Sequence, residues 1–189
     1  MKYYTAKGDG GTTRLFNCPQ GARLSKGDII FEVLGGVDEL NSFVGWCRAV
    51  AKRSSLQEAK RTKFLDTLLF IQEDLFIIQA ELGGGTTRLS EEKVRRLEDA
   101  IERFSGGFPA IHSFVIPGAT ELGGLLDVSR AIARRVERLY IQTKKKVRPG
   151  KSGGTPTAAY LNRLSSLLYV LARYANYVHD VPEKAPSYK

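Results

Sequence analysis

Apolar residues recur every three or four positions through most of the chain from residue 36 to residue 178. This spacing places them on one face of an α-helix, which has 3.6 residues per turn. The longest pattern runs from about Leu56 to Leu82 and stops at three successive glycines. Clusters of glycine and proline divide the rest into segments that begin near residues 36, 90, 120 and 157. The sequence therefore predicts an all-α fold, a bundle of five up-and-down helices.

The fourth predicted helix carries a second stripe, which is charged and lies beside its apolar face. A strand-like run, residues 114–116, precedes the helix, and Ala119 or Thr120 is the expected cap. The charged stripe has i, i+3 and i+4 spacing and consists of Asp127, Arg130, Arg134, Glu137 and Arg138. Arginine stays charged and offers a fork of donors, so the stripe suits a polyanion. The alternative is a solvated helix face, whose local ion pairs contribute roughly 0.2–0.5 kcal/mol each.

The last predicted helix, about Thr157 to Val178, also has a polar stripe, about a quarter-turn from its apolar face. That stripe consists of Asn162, Ser166, Tyr169, Arg173 and Asn176. Polar stripes on two helices, each next to a core face, are typical of a cleft or of an interface between bundles. The following segment, from Pro182 to Lys189, is expected to be disordered.

A segment rich in glycine and hydroxyl groups lies near the start of the chain, from Lys7 to Arg14. Its glycines allow the backbone to approach a ligand closely, and successive N–H groups can cradle an anion. The segment is not a P-loop, because the GxxxxGK[ST] spacing is absent and no apolar strand precedes it. It is therefore either an anion-binding loop or a flexible N-terminal arm. A second basic loop, residues 23–28, follows it.

The chain has 189 residues, a net charge of +9 and a pI near 9.6, which predict one soluble domain with an anionic partner. Nucleic acid, an acidic membrane surface and nucleotide phosphates all fit that charge. Cys18 and Cys47 lie in dissimilar sequence contexts, which suggests neither a disulfide nor a cysteine metal site. Neither His112 nor His179 has a second metal-binding residue three or four positions away, so no metal site is expected. Neither a signal peptide nor an apolar run of about 18 residues is apparent, which predicts a cytoplasmic protein without membrane segments.

Four blocks of the sequence, taken together in their order and spacing, resemble the PduO-type family of ATP:cob(I)alamin adenosyltransferases. They are YTAKGDGGTTRLF at 4–16, GGVDELNSFVGWCRA at 35–49, FVIPGATELGGLLDVSRAIARRVER at 114–138 and YLNRLSSLLYVLARYAN at 160–176. The resemblance implies a five-helix bundle with ferritin-like packing that assembles as a homotrimer and binds ATP between subunits. It also implies transfer of the 5′-deoxyadenosyl group of ATP to the cobalt of cob(I)alamin, which yields adenosylcobalamin and triphosphate.

The same resemblance implies the roles of individual residues. The residues expected to bind ATP are Thr5, Lys7, Gly8, Asp9, Gly11, Thr12, Thr13, Lys26, Arg134, Glu137 and Asn162. Asp38 and Arg130 are expected to form an intersubunit ion pair beside the corrin ring, and Phe114 to crowd the lower face of cobalt. These three residues and Arg134 are the expected catalytic residues. Magnesium is expected to bridge phosphate oxygens of ATP rather than to occupy a metal site of the protein.

The resemblance covers nearly the whole chain, so residues 1–189 are expected to form one adenosyltransferase domain. Within it, residues 1–35 are expected to be a nucleotide-binding loop segment, 36–179 the helical bundle and 180–189 a tail. The expected partners are two further copies of the chain, a cob(II)alamin reductase and a B12-dependent mutase, with no nucleic acid and no membrane.

Four positions depart from the family pattern. Lys7 and Gly10 shift the positive charge within the first loop, which leaves the phosphate contacts of that loop open. Asp127 stands where histidine is frequent, and Ser166 stands where aspartate is frequent. These two departures bear on the hydrogen bonds of the polar stripes, and they are not expected to affect Asp38, Arg130, Arg134 or Asn162.

Two other classes of protein remain as alternatives. A nucleic-acid-binding bundle would explain the charge of +9, but the tyrosines are scattered rather than arranged as a stacking platform. A helical bundle that binds ATP without catalysis is the second alternative. Turnover with cobalamin under reducing conditions distinguishes this alternative from an enzyme.

Overall fold

A computed structural model describes residues 3–147 and 154–188. The described residues form five helices: α1, Ile29–Arg53; α2, Glu58–Leu82; α3, Glu91–Ser105; α4, Glu121–Val147; and α5, Pro156–Val178. Two short strands, β1 at Thr12–Thr13 and β2 at Leu24–Ser25, pair antiparallel ahead of α1. The prediction of a five-helix fold is therefore confirmed.

The helices pack around one apolar core, in which α1 contacts α2 and α4, and α5 contacts α4 and α3. The apolar stripes that the spacing predicts are buried, as at Leu68 and Leu75 of α2. Rings of Phe64, Phe104 and Tyr174 join α2, α3 and α5, with centroids 5.0 to 6.3 Å apart. Because burial of one large apolar side chain contributes about 1.5–3 kcal/mol, these stripes hold the bundle together.

The first helix begins at Ile29, so the prediction that the bundle starts at residue 36 is wrong by two turns. The Gly35–Gly36 pair resembles a helix boundary in the sequence, but both glycines lie inside α1. A Cβ atom on Gly36 would lie 3.0 Å from Cγ2 of Val136. The glycine therefore allows α1 and α4 to approach closely, and residues 29–35 belong to the helix rather than to the N-terminal segment.

Hydroxyl groups fix where α4 and α5 begin. The backbone N–H of Gly123 donates to Oγ1 of Thr120 at 2.9 Å, which makes Thr120 the cap of α4. Oγ1 of Thr155 accepts from the N–H of Ala158 at 3.2 Å, and Pro156 occupies the first position of α5. Such caps satisfy amide groups that the helix itself leaves unpaired, so they set the register of the polar residues farther along both helices.

Two expectations about the chain around these helices are wrong. Residues 114–116 form no strand, and the whole connection between α3 and α4 is irregular. The tail also makes ordered contacts, because the N–H of Ile116 donates to the carbonyl of Lys184 at 2.8 Å and that of Val181 to Asn176 at 3.1 Å. The polar composition of residues 182–188 suggested disorder, whereas side chains of α5 supply partners for Glu183.

Candidate functional site

Polar residues of α4 and α5 meet along the line where the two helices pack together. We call this strip the α4–α5 seam; it comprises Asp127, Arg130, Arg134 and Glu137 of α4 and Asn162, Ser166 and Arg173 of α5. The helices run antiparallel, so Glu137 pairs with Asn162 at one end and Asp127 with Arg173 at the other. The two stripes predicted from the sequence therefore meet between α4 and α5, exposed at the Asn162 end and buried at the Arg173 end.

At one end of the seam, the amide of Asn162 joins two charged residues. Its Nδ2 donates to Oε1 of Glu137 at 2.8 Å, and its Oδ1 accepts from Nη1 of Arg163 at 2.6 Å. Both groups of the amide are therefore oriented by partners. Arg134 lies one turn before Glu137 on α4 and is exposed. This end combines an arginine with a carboxylate–amide pair, a combination that suits a ligand with both phosphate and hydroxyl groups.

At the other end of the seam, Arg173 is 2% exposed and donates to Oδ2 of Asp127, which is 5% exposed. Nε of Arg130 lies 3.4 Å from Oδ1 of the same aspartate, and the Arg130 side chain is 30% exposed. The solvated-face alternative is therefore wrong for Asp127, although Arg134 and Arg138 are exposed. One carboxylate thus holds a buried and a partly exposed guanidinium, and it orients Arg130.

The burial of Arg173 was missed by the sequence interpretation, which placed this residue on a polar stripe. The signal was present, because Arg173 is the one charged residue between Leu167 and Ala175. A buried guanidinium needs carboxylate partners, since an isolated charge in the core is strongly disfavoured. The sequence does not say which carboxylates these are, because Asp127 lies 46 residues away.

The second part of the candidate site is the N-terminal loop, residues 5–13 together with Lys26. The β1–β2 pair brings Lys26 to this loop, where its backbone N–H donates to the carbonyl of Gly11 at 2.9 Å. A Cβ atom on Gly8 would lie 3.1 Å from Nζ of Lys26, so glycine allows the ammonium group to lie against the backbone. Gly11 has a φ of +73°, which favours glycine. The loop therefore combines a cation with closely approachable backbone N–H groups.

Arg23 is a further residue of this loop that the sequence interpretation did not assign to the site. Its Nε donates to Oγ1 of Thr12 and its Nη2 to the Thr12 carbonyl, both at 2.7 Å. This pair of bonds clamps β1 from the side of β2. Thr5, Lys7 and Asp9 are exposed on the same loop. Among the described residues, residues 7–13 make no hydrogen bond or ion pair to α4 or α5, so one chain leaves the loop and the seam without a polar contact.

Asp38 and Phe114, the other two predicted site residues, lie outside both parts. Asp38 is exposed on α1, where Nε2 of Gln79 donates to its Oδ1 at 3.4 Å. In the described part of the chain, no ion pair joins Asp38 to Arg130, so the predicted pair is not formed within one subunit. Phe114 is 79% exposed in the loop before α4. A large apolar side chain in that state offers its surface to a ligand or a partner.

An apolar cavity of about 400 Å³ lies next to Asp38, between the N-terminal segment and the first two helices. Gln79, the partner of Asp38, is part of its wall, and the apolar lining residues are Leu15, Phe16, Phe31, Leu34, Phe76 and Ala80. This region of the molecule therefore offers both a carboxylate and apolar surface. In residues 3–147 and 154–188, no group of three His, Cys, Asp or Glu side chains is arranged to hold a metal ion. No helix of that part is long and apolar enough to cross a membrane.

A family model described as cobalamin adenosyltransferase matches residues 3–175, which include the N-terminal loop and the α4–α5 seam. The chain belongs to the cobalamin adenosyltransferase family. The resemblance inferred from the four sequence blocks is thereby confirmed.

Relatives of this family cover nearly all of the chain. The corrinoid adenosyltransferase of Mycobacterium leprae is 34% identical over an alignment of 191 positions, which covers 95% of this chain and 94% of the relative. Corrinoid adenosyltransferase PduO of Salmonella typhimurium is also 34% identical, over 97% of this chain, which spans 54% of that longer protein. A variant PduO-type ATP:corrinoid adenosyltransferase from Lactobacillus reuteri, complexed with cobalamin and ATP, superposes with a TM-score of 0.82 at 30% identity. That match covers 98% of this chain and 99% of the Lactobacillus reuteri chain.

Proposed function

We propose that this chain transfers the 5′-deoxyadenosyl group of ATP to the cobalt of cob(I)alamin and releases triphosphate. The family match over residues 3–175 is the observation that carries the proposal. A second support is the Lactobacillus reuteri structure, which holds both cobalamin and ATP. The polar loop and seam of this chain also suit a nucleotide, because they combine arginine, lysine and backbone N–H groups.

In this reaction, the cobalt(I) centre attacks C5′ of ATP. The Co–C5′ bond forms while the bond from C5′ to the triphosphate oxygen breaks, and triphosphate leaves with the bonding electrons. Since cobalt is the nucleophile, the protein needs no catalytic base. Its contributions are the positioning of two substrates and the stabilisation of charge on the leaving triphosphate.

For ATP, we propose a site between the N-terminal loop and the α4–α5 seam. Arg134 binds the phosphates as a fork from the seam, while Lys26 and the N–H groups of residues 8–13 bind them from the loop. Glu137 binds the sugar, and Asn162, which is hydrogen-bonded to Glu137, lies near the nucleotide. The remaining loop residues with this proposed role are Thr5, Lys7, Gly8, Asp9, Gly11, Thr12 and Thr13. Magnesium enters with ATP and is held by phosphate oxygens, which are the hard ligands that it prefers.

For cobalamin, we propose a site formed by Asp38, Arg130 and Phe114. The ion pair between Asp38 and Arg130 lies beside the corrin ring, and Asp127 keeps Arg130 oriented. Phe114 crowds the lower face of cobalt and displaces its lower axial ligand. Loss of that ligand makes cob(II)alamin easier to reduce, and reduction must precede attack on ATP. The exposure of Phe114 in this chain fits a residue that an apolar ligand covers.

We further propose that three copies of this single-domain chain assemble with their active sites at the subunit boundaries. Two observations support a shared site: residues 7–13 make no polar contact with α4 or α5 among the described residues, and Asp38 forms no ion pair with Arg130 there. A neighbouring subunit can supply the missing half in both cases, as cyclic symmetry repeats the same contact three times. The reaction requires cobalamin reduced to cob(I)alamin, so we propose a cob(II)alamin reductase as a partner and a B12-dependent mutase as the acceptor of the product.

The test of this function is an anaerobic assay with purified protein, magnesium, ATP and chemically reduced cobalamin. Loss of the cob(I)alamin absorbance, with formation of adenosylcobalamin and triphosphate in equal amounts, is the expected result. ATP binding without adenosylcobalamin would instead identify a non-catalytic nucleotide-binding bundle and contradict the proposal.

A further inference from the structure

The C-terminal segment, residues 181–184, lies against the loop that carries Phe114. The N–H of Ile116 donates to the carbonyl of Lys184 at 2.8 Å. Among the described residues, this is the one backbone hydrogen bond that residues 108–119 make outside their own segment. The position of this loop therefore depends on where the C-terminal segment lies.

Side-chain packing does little to fix the tip of the same loop. Phe114 is 79% exposed and Ile116 is 51% exposed, while Val115 between them is half-buried. Loops with few buried apolar contacts open at low free-energy cost unless polar contacts restrain them. The hydrogen bond between Ile116 and Lys184 is such a restraint. It restrains the loop only if the C-terminal segment that carries Lys184 is itself held in place.

The side-chain anchor of this segment is Glu183, which is 15% exposed and acts beside the backbone bond from the N–H of Val181 to Asn176. Its Oε1 accepts from Nδ2 of Asn176 at 2.5 Å and lies 2.9 Å from Nε of the buried Arg173. Contacts of a carboxylate with a charged donor are stronger than neutral hydrogen bonds, and more so where water is excluded. Asn176 also accepts from the hydroxyl of Thr120, the cap of α4, at 2.6 Å. One carboxylate of the tail is thus tied to α5 and, through Asn176, to the start of α4.

A cavity of about 240 Å³ lies between this segment and the first part of the loop. Its lining includes Pro109 and Ile111 of the loop, Val181 and Glu183 of the tail, and Arg173. The two segments are therefore not packed together along their whole length. Once Glu183 is released, the cavity gives both segments room to move.

We propose that Glu183 is a positioning residue for Phe114: by fixing the C-terminal segment on Arg173 and Asn176, it holds the 113–118 loop and sets where Phe114 meets the corrin. This inference rests on the proposed function for the role of Phe114. The contact itself is independent of that function, because it exists without substrate. Arg173 therefore serves both ends of the cobalamin site, Arg130 through Asp127 and Phe114 through Glu183.

The first test measures the restraint in the full-length protein without substrates. Glu183→Ala removes the anchor, and hydrogen–deuterium exchange in residues 113–118 is expected to accelerate about tenfold or more, with α2 unchanged. Glu183→Gln keeps the size and an acceptor oxygen, so it is expected to restore part of the protection. The control is Asp99→Asn, which removes one exposed negative charge on α3. Unchanged exchange in residues 113–118 of Glu183→Ala would overturn the inference.

The second test separates a positioning role from a general loss of stability. With cob(II)alamin and a reductant, Glu183→Ala is expected to lose about fivefold or more in rate, because misplacement of a catalytic group by about 1 Å is costly. With supplied cob(I)alamin, its rate and its KM for ATP are expected to stay within about twofold of the wild type. Phe114→Ala is the reference, for which the same split is expected. Equal losses in both assays would contradict the inference, whereas an inactive wild-type protein would refute the proposed function and leave the exchange test valid.

Discussion

The N-terminal loop and the α4–α5 seam carry the residues proposed to bind ATP, but they are built in opposite ways. The seam rests on two long helices, and its ends are closed by hydrogen bonds between them, Asn162 with Glu137 and Arg173 with Asp127. The loop rests on a pair of two-residue strands and is mostly exposed. Its one side-chain clamp is that of Arg23 on Thr12, among the described residues.

This difference predicts distinct effects of the two regions on ATP binding and on turnover. Arg130, Glu137 and Asn162 of the seam are already oriented by hydrogen bonds, so a ligand meets them at little entropic cost. The loop must be ordered further around the phosphates, and part of the interaction energy is lost to that ordering. We therefore expect changes on the seam to lower turnover and changes on the loop to weaken ATP binding.

The largest effect is expected for Arg134→Lys on the seam. Lysine keeps the charge but cannot make the two-pronged contact of a guanidinium, so stabilisation of the leaving triphosphate is lost. Turnover is expected to fall about tenfold or more, which corresponds to about 1.4 kcal/mol. Anaerobic initial rates measure it, with Arg95→Lys on the exposed face of α3 as the control. An unchanged rate and unchanged ATP binding would remove Arg134 from the site.

A smaller effect is expected for Asp38→Asn. Asp38 lies in neither the N-terminal loop nor the α4–α5 seam. The variant keeps the shape of the side chain but loses the negative charge that is proposed to pair with Arg130. An exposed ion pair contributes at most about 1 kcal/mol. The KM for cobalamin is therefore expected to rise up to about fivefold, while ATP binding stays the same. Asp66→Asn on the exposed face of α2 is the control. Weaker ATP binding with normal cobalamin kinetics would place Asp38 on the nucleotide side instead.

The smallest effect is expected for Arg23→Ala, which tests the loop directly. Without the clamp on Thr12, the loop is less ordered before ATP arrives, and the extra ordering costs about 0.5–1 kcal/mol. The KM for ATP is expected to rise about threefold with little change in kcat. Initial rates at varied ATP measure this split. A fall in kcat at constant KM would mean that the loop, like the seam, acts mainly in the transition state.

The sequence was sufficient for features that depend on local spacing. The five helices follow from apolar periodicity, and Glu137 and Asn162 were both singled out before the structure joined them by a 2.8 Å hydrogen bond. Thr120 was one of two predicted caps and is the one that accepts from Gly123. The helices and the cap are determined by residues within a few turns of each other, whereas the bond between Glu137 and Asn162 joins two helices and was not itself predicted.

The features that were missed depend on contacts distant in sequence. Gly36 looked like the start of a helix because its close contact with Val136, 100 residues later, is invisible in a local pattern. The tail looked disordered because the partners of Glu183 lie on α5 and one of them is a buried arginine. Arg23 was seen only as part of a basic loop, since its bond to Thr12 requires the β1–β2 pairing.

We propose that the loop of one subunit and the seam of its neighbour form one active site. Lys26→Ala weakens ATP binding by the loop and Arg134→Ala disables the seam, so at an ATP concentration well below the raised KM each variant alone is expected to be nearly inactive. In a cyclic trimer mixed from equal amounts of both variants, a site recovers whenever an intact loop meets an intact seam, and random assembly gives this for about a quarter of the sites.

The decisive measurement is therefore adenosylcobalamin formation by co-refolded mixtures of these two variants. A shared site predicts activity near a quarter of the wild-type value, with neither variant active alone. Mixtures no more active than their components, in trimers shown by native mass spectrometry to contain both chains, would contradict a shared site.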